Sequence, residues 1–140
     1  MGQQRIEIDK EFPFPVSDLF NHLSEHENLS ALFAPAKVRR VKEGDVEPNG
    51  VGSVRRLSLP LTPAFEETVT EFERDRRIAY RITKGSPRRA HRGVSVFSET
   101  AGGYRLHYTI VFKGKLPLIA AVIKPVLDRA IRKGLNDLRL

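Results

Sequence analysis

The spacing of apolar residues changes period twice along this chain. From Arg5 to Phe12, Ile6, Ile8 and Phe12 are set against polar neighbours, which predicts a first strand. Phe12-Pro13-Phe14-Pro15 ends it, since proline supplies no N–H to a ladder. The period then lengthens to three and four. Val16, Leu19, Phe20 and Leu23 form the apolar face of a helix opened by Val16 or Ser17, with Ser17 and Asp18 as capping residues. A second helical piece covers about Glu27–Phe33 and stops before Pro35. Period two returns over Lys37–Val46, Ser53–Leu59, Phe65–Phe72, Arg77–Thr83, Ala90–Ser98 and Tyr104–Phe112. Turn signals separate these strands, among them Asn49-Gly50, Gly85-Ser86-Pro87 and Gly102-Gly103. The last stretch, Leu116–Leu140, is helical again, with apolar positions at Ile119, Val122, Ile123, Val126, Leu127, Ala130, Ile131, Leu135 and Leu138. Unbroken, it would be about 36 Å long at 1.5 Å per residue. Pro117 suits its first turn, whereas Pro125 lies inside the pattern and predicts a kink or a split at Lys124.

The order is one strand, two short helices, six strands joined as successive hairpins, and one long helix. This is an α+β chain with a seven-stranded antiparallel sheet. Seven strands of this length twist and curl, and the final helix is the one element large enough to cover the concave face. No repeat, low-complexity run or linker divides residues 1–140, so they are read as a single domain.

Composition narrows the chemistry. The absence of cysteine excludes disulfides, thiolate nucleophiles and cysteine metal sites, and fits a cytoplasmic protein. Met1–Lys10 lacks the apolar core of a signal peptide. The longest apolar run, Leu116–Ile123, is far shorter than the roughly 20 residues of a membrane span. Charge is uneven. Residues 1–70 hold 8 Lys/Arg against 11 Asp/Glu, and residues 71–140 hold 16 against 6. The basic half suits an anionic surface, either membrane headgroups or the ribosome, with Arg129, Arg132, Lys133 and Arg139 on the outer face of the last helix. It equally suits a merely solubilising surface. No specific nucleic-acid motif accompanies it.

Three stretches carry a family likeness. The first is Phe14-Pro15-Val16-Ser17-Asp18-Leu19-Phe20 with Leu23-Ser24 and Asn28-Leu29. The second is Gly50-Val51-Gly52-Ser53-Val54-Arg55. The third is Glu67-Thr68-Val69-Thr70-Glu71-Phe72, then Arg77-Ile78-Ala79-Tyr80-Arg81-Ile82 and Gly102-Gly103-Tyr104-Arg105-Leu106. In this order they resemble the START-like, or helix-grip, superfamily (SRPBCC), and within it the polyketide cyclase/dehydrase and lipid-transport branch. The resemblance implies a curled seven-stranded sheet wrapped around a long C-terminal helix, with an apolar cavity between them. The fold hosts many activities, so the likeness does not choose among them.

That cavity would be lined by apolar strand positions Ile78, Tyr80 and Ile82, by Leu106, Tyr108, Ile110 and Phe112, and by Val122, Ile123, Val126 and Leu127 of the helix. Leu23, Leu29, Leu32 and Phe33 suit its mouth. The same alternation also fits a filled core. The ligand-binding set is therefore Tyr80, Ile82, Leu106, Tyr108, Ile110, Val122, Ile123, Val126 and Leu127, with the two tyrosines orienting a hydrophobic small-molecule ligand such as a lipid, quinone, polyketide or aromatic compound. His91, His107, Arg55 and Glu67 are the other polar candidates. His107 alternates with Leu106 and Tyr108 and is expected to face outward, and His91, among Arg88, Arg89 and Arg92, is expected to be exposed. No catalytic pair is forced by spacing. His22-Leu23-Ser24-Glu25-His26 matches H-x-x-E-H, but the helix is expected to end within it, so no metal site is assigned. Gly50-Val51-Gly52 leads into a strand and has Arg55 where a dinucleotide motif needs its third glycine. No cofactor is therefore implied. Three functions remain: ligand binding, polyketide cyclisation or dehydration in the same cavity, and ribosome or partner binding through the basic surface.

Overall fold

The computed structural model describes residues 3–33, 36–58, 64–85, 88–101, 103–114 and 117–140; the side chains of residues 3, 88–90, 113, 114 and 117–123 are outside that description. Strand β1 (Gln3–Phe12) is followed by helix α1 (Val16–Ser24), a 3₁₀ turn (His26–Asn28) and the short helix α2 (Leu29–Leu32). Then come β2 (Lys37–Lys42), β3 (Val54–Ser58), β4 (Phe65–Glu73), β5 (Arg77–Lys84), β6 (Arg88–Thr100), β7 (Gly103–Gly114) and helix α3 (Pro117–Asn136). The strands form one antiparallel sheet in the order β1-β7-β6-β5-β4-β3-β2. Consecutive hairpins place β2 through β7 side by side. The first strand closes the far edge on β7, from Gln3 opposite Lys113 to Phe12 opposite Tyr104.

Four irregularities curl this sheet. Extra residues sit in β2 between Arg40 and Lys42, in β4 between Val69 and Glu71, in β5 between Ile82 and Lys84, and in β6 between Arg89 and Arg92. Each bulge bends its strand and increases the local twist. The concave face carries Ile6 and Ile8, Leu57, Val69, Phe97, Leu106, Ile110 and Phe112, all 5% exposed or less. The helical segment α1–α2 closes one end. Phe20 meets the rings of Phe72 and Phe97 edge-on at 5.2 Å each. Ser30 Oγ accepts the Val38 N–H at 2.9 Å, and Glu27 accepts the Arg40 N–H at 3.0 Å. The outermost strand, β2, thus has backbone groups satisfied by side chains, which blunts an open edge.

Helix α3 runs without interruption through Lys124 and Pro125, so the expected split does not occur. The helix continues although Pro125 forfeits one of its backbone hydrogen bonds. The buried stripe is Ile131 and Leu135, with Leu127 and Leu138 packed against the core. Gly134 lies where α3 crosses α2: a Cβ there would stand 2.7 Å from Leu32 Cα. Only hydrogen fits in such a close approach.

Candidate functional site

The inner face of β3 and β4 departs from the apolar pattern. Ser53, Arg55 and Leu57 share one face, as do Phe65, Glu67 and Val69, and Ser53, Arg55 and Glu67 are all buried. Arg55 and Glu67 are direct cross-strand partners. Arg55 Nε donates to Glu67 Oε1 at 2.7 Å, with both side chains 3–4% exposed. The other carboxylate oxygen of Glu67 is 3.7 Å from His91 Nε2. His91 is 3% exposed and stacks on Phe112 with centroids 5.8 Å apart. The expectation that His91 is exposed is therefore wrong. Its arginine neighbours suggested solvent, but His91, Gly93 and Phe97 lie in phase on β6 and all three are covered. Alternation with Phe97 was the signal that would have found it. His107, expected to face outward, is 41% exposed beside Asp9.

Tyr80 on β5 and Tyr108 on β7 are separated by β6, yet their hydroxyls are hydrogen-bonded to each other. Strands lie about 4.8 Å apart, so each ring must lean across β6. The β6 residues paired with them are Gly93, opposite Tyr80, and Ser95, opposite Tyr108. A Cβ on Gly93 would fall 2.3 Å from Tyr80 Cζ, so the ring occupies the space a side chain would take. Tyr80 also carries the Arg55 guanidinium, 4.3 Å from the ring centroid. A desolvated cation–π contact of this kind is worth about 2 kcal/mol.

The electrostatics follow from this enclosure. Burial opposes a charge on Arg55, but the Glu67 carboxylate and then the two tyrosines more than offset it, so the guanidinium is held above its ordinary value and stays charged. Burial, then Tyr108 and the Glu67 charge, push Tyr80 well above the usual phenol range. Burial and then Glu67 push Tyr108 up as well. Both hydroxyls are therefore donors at neutral pH, not bases. His26 extends the network. Burial, followed by the charges of Arg55 and Arg40, lowers it to about 3, so its imidazole is neutral at neutral pH. Its Nδ1 faces Arg55 Nη1 at 3.5 Å and its Nε2 is 2.9 Å from Ser53 Oγ. Arginine can only donate, which assigns Nδ1 as acceptor and puts the hydrogen on Nε2.

His26 therefore points into the core. Helix α1 ends at Ser24 and Glu25 is extended, so His22 and His26 are not successive turns of one helix. His22 meets Asn28 instead. Among the described residues no group of three or more His, Asp or Glu could hold a metal ion.

A cavity of about 30 Å³ opens beside the tyrosine pair, lined by Leu23, Leu29, Leu32, Phe33, Arg55, Ile78, Tyr80, Ser95, Phe97, Leu106 and Tyr108. Of the residues expected to line it, Ile78, Tyr80, Leu106 and Tyr108 do, and so do the four expected at its mouth. Ile110 is buried in the core without reaching it, and Ile82 and Leu127 are partly buried against that core. Val126 is 61% exposed, which corrects its assignment to the inner face. It lies nine residues before the fully buried Leu135, half a turn away at about 100° per residue. The side chains of Val122 and Ile123 are outside the described residues. Arg55, one of the expected polar candidates, completes the lining together with Ser95 and Phe97, which were absent from the expected set. On the outer face of α3, Arg132 pairs with Asp128 and Lys133 with Asp137, each at 2.7 Å, and Arg139 binds the carbonyls of Asn136 and Leu138. Much of the cationic character expected there is thus matched within the chain. No described helix is long and apolar enough to cross a membrane.

A curled seven-stranded sheet gripping a long C-terminal helix, with short helices after the first strand, is the START-like helix-grip architecture. Residues 3–140 match the family described as polyketide cyclase/dehydrase and lipid transport, and the chain belongs to that family. No curated protein sequence matches it. Among solved structures, it is similar to the ZhuI aromatase/cyclase from Streptomyces sp. R1128, with 18% identity over 96% of this chain and 93% of that one and a TM-score of 0.75. It also resembles a Thalictrum flavum norcoclaurine synthase point mutant in complex with a transition-state analogue (15% identity, 96% and 90% covered, TM-score 0.69). The di-domain aromatase/cyclase StfQ of the steffimycin biosynthetic pathway is similar too (15% identity, TM-score 0.74), with 96% of this chain aligned to 48% of that one. At these identities the likeness shows the fold.

Proposed function

We propose that this protein binds an apolar or amphipathic small molecule between the sheet and the helices, with an oxygen of the ligand hydrogen-bonded at Tyr80 and Tyr108. One observation carries the reading: two buried phenols bonded to each other open onto a cavity that is otherwise largely apolar. Apolar walls with a few convergent polar groups are the usual composition of a small-molecule site. Only one hydroxyl hydrogen lies between the two oxygens, so the second O–H is the donor for a ligand. Ligand pockets run to about 300–1,000 Å³, so occupancy requires the wall to move outward. The wall that moves is α1–α2, which contributes Leu23, Leu29 and Leu32 and is tied to β2 at its rim by Ser30, Glu27 and the Arg40–Glu25 pair. The test is native mass spectrometry of the purified chain with titration of a fluorescent apolar probe. A retained hydrophobic ligand, or saturable probe binding weakened in Tyr108→Phe, is expected. No binding of either kind sinks the proposal.

A second reading, polyketide cyclisation or dehydration, is favoured by the family together with the protonated tyrosine pair. A phenol that stays protonated stabilises charge developing on a carbonyl oxygen, as enolate formation requires. On that reading Tyr80→Phe or Tyr108→Phe lowers kcat on a poly-β-ketone thioester while KM changes little. Tight binding of that thioester by the wild-type chain with no measurable turnover would argue for binding alone.

A further inference from the structure

The cavity meets one full charge, and that charge already has its partner inside the protein. Arg55 lines the cavity, whereas Glu67 stands behind it across the β3–β4 ladder. One oxygen of Glu67 accepts from Arg55 Nε at 2.7 Å and the other is 3.7 Å from His91 Nε2, so both oxygens face nitrogens of the chain. We infer that Glu67 is the specificity-determining residue of this cavity: as a built-in counter-ion to Arg55, it makes the cavity take ligands whose buried end is an uncharged oxygen, a ketone or a phenol, and refuse the isosteric carboxylate. The inference rests on the reading of this cavity as a ligand site.

The sign of the selectivity follows from the charges in contact. His26, on the other side of Arg55, is a neutral imidazole, and Tyr80 and Tyr108 are neutral donors. A carboxylate entering here would be a second anion before one cation, both cut off from water. Its lost hydration would go unmatched, because the attraction that normally compensates a buried ion is already taken by Glu67. A ketone oxygen needs only a donor, which the tyrosine pair provides. Without Glu67 the same arginine would be an anion site, since a desolvated guanidinium favours a carboxylate partner. One side chain that does not line the cavity thus sets which charge state enters it.

The test uses two ligands of equal shape, acetylnaphthalene and naphthoate, titrated by calorimetry into the full chain at pH 8, above the ordinary titration range of histidine. Wild type is expected to bind the ketone at least about tenfold tighter than the carboxylate. Glu67→Gln is expected to reverse that order. If Glu67→Gln does not fold, Arg55→Gln/Glu67→Gln, which has no ionic pair, is expected to keep the wild-type preference for the ketone. Naphthoate binding wild type as tightly as the ketone overturns the inference and leaves the cavity a ligand site, as does a folded Glu67→Gln with unchanged preference. Binding of neither ligand to wild type overturns the cavity reading and this inference with it.

Discussion

The two halves of the sheet solve the problem of a concave face differently. Toward β1 and β7 the face is filled: Ile6, Ile8, Ile110 and Phe112 are at most 2% exposed. Toward β3 and β4 it carries Ser53, Arg55 and Glu67, equally covered but polar. The first half stabilises through apolar area removed from water, at about 25 cal/mol per Å². The second gains little on balance, because the desolvation of two ions offsets their attraction. Burial alone does not distinguish them. What distinguishes them is which loss would be uncompensated: contacts on one side, a charge on the other.

The sharpest way to break the comparison is to remove one ion. Glu67→Leu leaves Arg55 buried and unpaired and is expected to lower unfolding stability by about 3–5 kcal/mol, whereas Arg55→Met/Glu67→Leu recovers most of it. Urea melts of these two variants, of Arg55→Met and of the wild type close the cycle and give the coupling, and additive losses would mean that the two groups do not interact. On the filled side Phe112→Ala is expected to cost about 3–5 kcal/mol with no partner able to restore it, while Leu29→Ala, beside existing space, costs about 2 kcal/mol. Equal costs at the two positions would deny any difference in packing between wall and core.

Acid separates the halves as well. His26 is neutral in the fold because its value falls to about 3 from an ordinary 6.5, so the unfolded chain takes up its proton first on acidification. Stability from this group is complete above about pH 6.5 and is lost progressively as pH falls toward 3. Between pH 6.5 and 4.5 the loss is about 2–3 kcal/mol, and His26→Gln should flatten that part of the curve. An unchanged pH profile in the variant would place the acid sensitivity elsewhere. The smallest effect lies outside both halves. Asp75, in the β4–β5 turn, has φ of 64°, and its buried Oδ1 has no hydrogen-bond partner among the described residues. Asp75→Gly is expected to raise stability by about 0.5–1 kcal/mol, visible as a higher urea midpoint.

The elements were legible because the turns announce them. Asn49-Gly50, Gly85-Ser86-Pro87 and Gly102-Gly103 each fall between period-two runs, and the strands appear within a few residues of where those runs lie. Val126 failed for a geometric reason. Val126 and Leu127 are both apolar, a helix can turn only one of the pair inward, and burial at Ile131 and Leu135 decides for Leu127. His91 shows that strand phase outranks neighbouring charge: it is 3% exposed although Arg92 follows it directly. The pairing of Tyr80 with Tyr108 was beyond pattern alone: it depends on β6 lying between them and on two small residues meeting at that point, a matter of register between three strands.

Gly93 therefore has a genetic consequence. At most wall positions a larger residue trims the cavity and leaves its chemistry alone, so on the proposed reading ligand preference would drift by small steps. At Gly93 even one methyl displaces Tyr80 and with it both the phenol pair and the platform under Arg55. In a library sorted separately for folding and for ligand retention, substitutions at this position should disappear from the second pool well before the first. If the cavity is a ligand site, the sheet's bare backbone at that point is as much a part of its recognition as any side chain around it.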